Sequence, residues 1–383
     1  MGNVRIDALR EQMKDNNIDV YYLNTSDYHM SEYVPLYFKT IEYFSGFSGS
    51  LATLLVDLEN AYIFVDGRYH IQAEKQCLPN DVQVVKLGTA NALEPIEFIK
   101  KNYVGKVIGL DGKRTSINFA SALSDFEIKS IDIYSSLIEN RVSLSTDLIY
   151  ELGVEYTGLS RKKKLDNVKY ILDGKTHIVN NLESISYILN LRGNDILCTP
   201  VFLAYLVFNK NDVYFFINLE RLSEELLDKL YADGIIIRPY DAYYDFLKTL
   251  KDEVVLLDKT KVNYETYSLI CKHNRIVDCL SVIEEMKSMK NEVEIKNSKL
   301  AHIYDGVAMV RFLKWLDETD KETLNEYIVA NKLNEFRLSY KAFDLSFNPI
   351  VAYNANAAMM HYAPTEENNS ALHNEGIILV DSG

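Results

Sequence analysis

The chain has 383 residues, enough for two or three domains of roughly 150 residues each, and its composition of 48% hydrophobic and 25% charged residues is globular. Lysine and arginine number 41 against 55 acidic residues, a net charge of −14, which argues against nucleic acid or an anionic membrane surface as the main partner. No apolar run is long enough for a transmembrane helix, and the four scattered cysteines form no CxxC pair, which fits a reducing, cytoplasmic setting.

Helical and extended patterns alternate along the first segment. An amphipathic helix is predicted from apolar residues at roughly helical spacing: Ile6, Leu9, Met13 and Ile18. The apolar run Val20–Leu23 predicts a strand, and the Gly-rich stretch Ser45–Val56 predicts a turn running into another. Ala61–Gln76 has the pattern of a strand, a turn and a helix. Such alternation is typical of an α/β domain.

A polar and charged stretch over residues 137–165 separates this segment from the next, and we place a domain boundary there. The stretch ends in the basic run Arg161–Lys164. A run of this kind most often forms a solvated helix face; the alternative is a patch that binds anions.

The second segment follows the same order as the first. His177–Gly193 predicts a strand that leads into a helix, and Val201–Phe208 and Asp212–Asn218 predict paired strands. A further strand, helix and strand complete the unit by Asp258. Two successive α/β units of similar order suggest two related domains.

The pattern changes again after Val282. Glu284–Glu318 predicts one long amphipathic helix, with five apolar residues near one face: Ile295, Ile303, Val307, Val310 and Leu313. A second helix is predicted over Thr323–Arg337. The stretch Asn348–Pro364 and the final Gly376–Gly383 follow.

Two residues near the carboxyl end are candidates for chemistry. The HEXXH, GxSxG, GxxxxGK[ST] and GxGxxG motifs are absent from the sequence, which leaves zincins, α/β-hydrolases, P-loop NTPases and simple dinucleotide binders without support. An apolar strand brings Asp381 to its carboxyl end, where carboxylates often bind hard metal ions; a turn residue is the alternative. His361 could donate a hydrogen bond to a substrate oxygen, with a structural role as the alternative. We expect the remaining histidines to be structural or surface residues: His29, His70, His177, His273, His302 and His373.

The sequence resembles the three-domain, cytosolic type of Xaa-Pro aminopeptidase, a pita-bread metallopeptidase related to creatinase and prolidase. Matching stretches occur in the same order along the whole chain: Ser31–Tyr33, Phe44–Thr53, Asp66–Gln76, Glu155–Leu165, Ile188–Phe208, Lys290–Leu316, Asp344–Pro364 and Leu379–Gly383. No single stretch is decisive, and the resemblance rests on their number and order.

The resemblance implies a mixed α/β and α+β fold in three parts. Residues 1–145 and 146–283 would be two similar creatinase-type α/β domains, and residues 284–383 would be the incomplete start of a pita-bread catalytic domain. The domains ahead of the catalytic one would narrow the entrance to the site and help to build a homodimer. The expected substrates are short peptides with proline in the second position.

The resemblance also implies a site. Members of the family bind two divalent ions, commonly Mn²⁺, which activate a water molecule that attacks the peptide bond after the first residue. Asp381 matches the first metal-ligand Asp of the family, and His361 matches the histidine that touches the substrate and stabilises the developing charge. Arg192 is expected near the mouth of the site as a substrate-binding residue.

The family pattern has a second Asp, a His and two Glu as further ligands after the position of Asp381, and the sequence contains no counterpart of them. We therefore expect the chain to be a fragment of a longer enzyme, inactive alone and unable to bind metal tightly, because one carboxylate does not offset the dehydration of a divalent ion. One alternative is a non-catalytic peptide-binding or assembly module with a pita-bread-like fold. Another is a creatinase- or prolidase-like hydrolase, which the full-length middle domain disfavours.

Overall fold

The computed structural model describes residues 3–339 and 342–383; residues 1–2 and 340–341, which fall in the predicted first and third domains, lie outside the described residues. The chain forms two compact units. The first unit extends to Ile196 and resumes over Pro200–Met289, and the second comprises Leu197–Thr199 and Lys290–Gly383. None of the helices over the described ranges has the length and apolarity needed to cross a membrane.

The first half of the first unit is a six-stranded mixed sheet with helices around it. Its elements in chain order are α1 (Val4–Asp15), β1 (Val20–Asn24), α2 (Thr40–Ser45), β2 (Thr53–Asp57), β3 (Ala61–Val65), α3 (His70–Cys77), β4 (Gln83–Lys86), α4 (Pro95–Asn102), β5 (Val107–Leu110), α5 (Ile117–Ala122) and β6 (Glu127–Ser130). The strands lie in the order β4-β3-β2-β1-β5-β6. The β1–β2 and β2–β3 pairs are antiparallel and the other three pairs are parallel.

The second half of the first unit has a second six-stranded sheet. Its elements are β7 (Tyr150–Glu151), α6 (Val154–Thr157), α7 (Arg161–Leu172), β8 (Thr176–Val179), α8 (Leu182–Leu189), β9 (Leu191–Arg192), β10 (Tyr205–Asn209), β11 (Asp212–Ile217), α9 (Glu224–Ala232), β12 (Ile235–Pro239), α10 (Tyr243–Leu247), β13 (Val254–Leu257), α11 (Tyr264–Ile270), β14 (Arg275–Asp278) and α12 (Val282–Ser288). The six strands lie in the order β12-β11-β10-β8-β13-β14, while β7 and β9 form a separate pair.

The two large sheets have the same topology. When β8, β10, β11, β12, β13 and β14 are matched to β1, β2, β3, β4, β5 and β6, every neighbour and every parallel or antiparallel pairing coincides. The predicted architecture of two similar α/β halves is therefore confirmed.

The first helix shows how the sequence directs this fold. Asn3 caps α1, because its side chain accepts hydrogen bonds from the backbone N–H groups of Arg5 and Ile6. Ile6, Leu9 and Met13 are all at most 1% exposed on the face that packs on the sheet. The predicted amphipathic stripe is thus confirmed for these three residues; the helix ends at Asp15, so Ile18, which is also buried, lies beyond it.

The two halves of the first unit meet through equivalent helices. Ser116 caps α5 and Asn263 caps α11, and the two residues form an antiparallel β-bridge. The backbone N–H of Tyr264 donates to the carbonyl of Thr115 over 2.8 Å. Ile117 packs in the apolar cluster of the second sheet, so the core is continuous across the junction.

The prediction that the basic run is a solvated helix face is wrong for two of its four residues. Arg161 is 4% exposed and forms ion pairs with Glu151 and Asp233. Lys164 is 1% exposed, and its Nζ donates to the Tyr187 carbonyl and to Asn190 Oδ1. These two positions face inward one turn apart, where paired and hydrogen-bonded cations are tolerated. Lys162 and Lys163, the other two residues of the run, are exposed as predicted.

Over its described residues, the second unit contains two α-helices and a two-stranded antiparallel sheet: α13 (Glu292–Glu318), α14 (Glu326–Ser339), β15 (Ile350–Tyr353) and β16 (Ile378–Asp381). Its apolar cluster joins Phe312 of α13 to Val329 and Leu333 of α14 and to Val351 of β15. Short 3₁₀ helices span Lys321–Thr323 and Asn354–Ala358 in this unit; in the first unit they span Leu36–Phe38, Leu78–Asn80, Ser135–Leu137, Leu219–Arg221 and Tyr240–Ala242.

The predicted long helix over Glu284–Glu318 is wrong in two respects. The helix is interrupted after Ser288, because Asn291 starts α13 with a capping box: its side chain accepts from the N–H of Glu294, whose carboxylate accepts from the Asn291 N–H. The predicted apolar face is also largely exposed, with Ile303 at 61% and Val310 at 67%. Ala308 and Phe312 are the buried positions of α13 instead.

Candidate active site

Asp381 is the last residue of β16, as the sequence predicts. It lies opposite Ile350 in the antiparallel pair formed with β15, and its side chain is exposed. The strand therefore holds the backbone of Asp381 in a fixed register and leaves the carboxylate accessible.

His361 lies in a turn that follows the 3₁₀ helix Asn354–Ala358, and it is exposed. The next residue, Tyr362, is 7% exposed. The exposed His361 is thus followed in the chain by a buried tyrosine. This arrangement suits a side chain that must meet a substrate from a defined direction.

The anchor of this turn is the buried carboxylate of Glu326, which is 0% exposed at the start of α14. Oε1 accepts hydrogen bonds from the Tyr353 N–H over 2.5 Å and from Asn356 Nδ2 over 3.0 Å. Oε2 accepts from the Tyr362 hydroxyl over 2.7 Å and from the Ser370 N–H over 2.7 Å. We call these five residues the Glu326 network.

The Glu326 network is completed by the backbone around the start of α14. The Glu326 N–H donates to the Ser370 carbonyl over 3.1 Å, and the Leu372 N–H donates to the Leu324 carbonyl over 2.9 Å. These bonds hold Leu324 and Asn325 in an extended conformation, with Asn325 bridged to Ala371. For this reason α14 begins at Glu326 and not at the predicted Thr323.

The surroundings of Tyr362 keep its hydroxyl in the form that donates to Glu326. Burial, and then the hydrogen bond to Glu326, raise the pKa of Tyr362 well above the usual value of a phenol. The hydroxyl therefore stays protonated at neutral pH and remains a donor to the carboxylate.

A glycine joins this region to β16. Gly376 has a φ of +121°, and a Cβ there would lie 2.5 Å from the Tyr353 hydroxyl oxygen and 2.7 Å from Asn354 Oδ1. The same Tyr353 hydroxyl donates to the Glu375 carbonyl. Only glycine lets the chain pass this close to the end of β15.

Arg192 lies in the first unit, whereas His361 and Asp381 lie in the second. It is half-buried in β9, and its Nη1 donates to the carbonyls of Ser186 and Leu191, over 2.9 Å in each case. The loop that follows is fixed by the buried pair of Arg221 and Asp195, whose guanidinium and carboxylate share two hydrogen bonds of 2.6 Å.

The described residues do not by themselves build a metal site. Over residues 3–339 and 342–383, no group of three or more His, Cys, Asp or Glu side chains comes together in a geometry that could hold a metal ion. Asp381 alone supplies at most two oxygens, fewer than a divalent ion of this kind requires. These residues alone therefore do not fit a dinuclear centre.

The sequence analysis missed Glu326, Asn356 and Ser370. An acidic residue in the first turn of a helix is ordinarily explained by the helix dipole, which gives no reason to expect burial. The one signal in the sequence is the concentration of Asn and Tyr side chains around His361, which need buried partners if the turn is ordered.

Comparison with known proteins identifies the domain families to which the parts of the chain are similar. Two models, both described as the creatinase/prolidase N-terminal domain, match residues 5–139 and 140–294, and the model of metallopeptidase family M24 matches residues 296–383. The chain therefore carries two creatinase/prolidase N-terminal domains, followed by the start of a domain of metallopeptidase family M24.

Within this class, the relatives are Xaa-Pro aminopeptidases. The chain is 31% identical to the probable Xaa-Pro aminopeptidase P of Coprinopsis cinerea, over 98% of this chain, and 31% identical to Xaa-Pro aminopeptidase 1 of Dictyostelium discoideum, over all of it. It spans 65% of the length of each relative. The crystal structure of X-prolyl aminopeptidase from Caenorhabditis elegans, described as a cytosolic enzyme with a di-nuclear active site, matches with a TM-score of 0.88 and 27% identity, covering 96% of this chain and 63% of that one.

Proposed function

We propose that the chain is part of a metal-dependent aminopeptidase that removes the first residue from peptides with proline in the second position. The observation that carries this proposal is the match, over nearly the whole chain, to proteins named Xaa-Pro or X-prolyl aminopeptidase. The repeated creatinase-type sheets and the ordered turn around His361 support it.

His361 is the residue that we assign to the substrate. Its imidazole is exposed, and the neighbouring Tyr362 is fixed from within the fold. A hydrogen bond from the imidazole to the carbonyl oxygen of the scissile bond would strengthen as negative charge develops there. Arg192 is proposed as a second substrate-binding residue on the resemblance alone; its Nη1 donates to the carbonyls of Ser186 and Leu191.

Asp381 is proposed as a ligand of a two-metal centre, with Mn²⁺ as the expected ion. The described residues supply no cluster that completes such a centre. We therefore propose that the 383-residue chain alone binds divalent metal weakly and does not hydrolyse Xaa-Pro peptides, and we derive no catalytic step through the metal.

The remaining proposals also rest on the similarity to Xaa-Pro aminopeptidases. We propose three domains, over residues 1–145, 146–283 and 284–383, and a homodimeric enzyme in the cytoplasm. The −14 net charge argues against nucleic acid as the main partner, and the proposed peptide substrates rest on the relatives alone.

The test compares the protein encoded by the complete reading frame with the 383-residue chain. Release of the first residue from an Xaa-Pro tripeptide is measured with Mn²⁺ and after treatment with a chelator. We expect metal-dependent turnover by the complete protein and none by the 383-residue chain. His361→Ala should lower kcat of the complete protein by about 100-fold, the order expected for one group that stabilises transition-state charge.

Two results would contradict the proposal. Turnover by the purified 383-residue chain would show that the metal centre does not depend on further residues. A complete, manganese-loaded protein that binds the tripeptide without cleaving it would favour the non-catalytic binding module.

A further inference from the structure

We propose that Glu326 is a positioning residue for His361: its buried carboxylate sets the conformation of the turn that presents the imidazole. The inference rests on the proposed role of His361 in substrate contact. It adds a buried residue at the start of α14, outside the turn that contains His361, and this residue acts through Tyr362.

The placement of the donors carries the argument. Tyr353 and Asn356 precede His361 in the chain, whereas Tyr362 and Ser370 follow it, and all four donate to the same carboxylate. One buried group therefore fixes the segment on both sides of His361. A carboxylate that served only to start α14 would need donors from its own helix, not from this segment.

The charge of the Glu326 carboxylate favours one conformation of the turn over others. Glu326 accepts at both oxygens, so all four donors must point inward together for the buried charge to be satisfied. Each charge-assisted bond is stronger than its neutral counterpart, and losing one leaves a buried charge short of a partner. The turn therefore has one strongly preferred conformation.

The test uses nuclear magnetic resonance of the 383-residue chain, so it needs no catalytic activity. The imidazole signal of His361 is identified by its disappearance in His361→Gln. We expect Glu326→Gln to shift and broaden this signal, because the Gln NH₂ group cannot accept from the Ser370 N–H. Tyr362→Phe, which removes a single donor, should cause a smaller change in the same direction.

Two control variants distinguish a positioning role of Glu326 from a general contribution to the stability of the fold. Glu335→Gln neutralises a carboxylate on the same helix that is 66% exposed, and it should leave the His361 signal as it is. Val329→Ala creates a cavity in the apolar cluster against which α14 packs, so it lowers stability without removing any donor to Glu326. A purely structural role would make Val329→Ala disturb His361 as much as Glu326→Gln does.

Kinetics of the complete protein supply the second readout. Glu326→Gln should lower kcat by roughly 10- to 100-fold with a smaller change in KM, and it should have little further effect when His361 is already Ala. Equal losses in both backgrounds would overturn the proposal, as would an unchanged His361 signal in both Glu326→Gln and Tyr362→Phe. An inactive complete protein would contradict the proposed function, while the resonance experiment would still decide the positioning role.

Discussion

Ser116 and Asn263, the cap residues of equivalent helices in the two halves of the first unit, bind each other through an antiparallel β-bridge. Each follows a matching turn: the Lys113 N–H donates to the Asp111 carboxylate in the first half, and the Thr260 N–H donates to the Asp258 carboxylate in the second. The two halves therefore join through the same feature of their common topology.

Replacement of Asn263 by Ala should destabilise this junction strongly. The side chain is fully buried; its Oδ1 accepts from the Thr266 N–H over 2.8 Å, and its Nδ2 donates to the Tyr28 carbonyl over 2.7 Å. Loss of the cap costs about 1 kcal/mol, and an unpaired buried carbonyl costs a further ~1–3 kcal/mol. We expect urea unfolding followed by circular dichroism to show a loss of about 2–4 kcal/mol in the free energy of unfolding.

The matched control is Ser223→Ala, which removes the cap of α9. Ser223 is exposed and accepts from the Leu226 N–H, with no partner in the other half of the unit among the bonds of the described chain. It should cost about 1 kcal/mol. If both variants lose the same amount, Asn263 contributes nothing across the junction beyond its cap.

Acid should weaken the first unit through two buried histidines. Burial lowers the pKa of His29 against the opposing influence of Asp27, and burial also lowers the pKa of His177. In each ring Nδ1 faces a carbonyl, of Asn180 and Leu256 respectively, so Nδ1 donates and Nε2 accepts in the neutral form.

The direction of the pH effect follows from proton binding. A folded pKa below the unfolded value of about 6.5 means that the unfolded chain binds more protons, so stability falls as pH decreases through about 6.5 towards the folded pKa. The slope contributed by each histidine is at most about 1.4 kcal/mol per pH unit. We expect His29→Gln to reduce the slope of unfolding free energy against pH below about 6.5. An unaltered slope in His29→Gln would show that protonation of His29 does not contribute to the loss of stability in acid.

Strongly periodic parts of the fold could be predicted from the sequence. The buried face of α1 and the pairing of β10 with β11 depend on neighbours close in sequence, and both agree with the structure. The burial of Arg161 and Lys164 could not be predicted, because it depends on partners such as Asp233 and Asn190 that lie far along the chain.

The candidate site could be predicted only in part. Resemblance identifies His361 and Asp381, since spacing alone favours neither, and their roles stay predictions. Glu326 was missed because its donors lie 27 to 44 residues away, on a segment whose path no local pattern specifies. The sequence thus indicates which residues are expected to meet the substrate and the metal, but not which residue holds the segment in place.

Gly376→Ala and Gly306→Ala should change the stability of the second unit in opposite directions. Gly376 has a φ of +121° and its new Cβ would meet Tyr353 and Asn354, so we expect a loss of about 1–3 kcal/mol. Gly306 lies at an exposed position of α13 where an added methyl group would have no atom within 4 Å, so Ala should gain about 0.5–1 kcal/mol through helix propensity. Trp315, the single tryptophan, is partly buried against the apolar cluster of this unit, and its fluorescence during urea unfolding measures both effects. Equal stability of Gly376→Ala and the unaltered chain would mean that the turn into β16 does not require a left-handed residue.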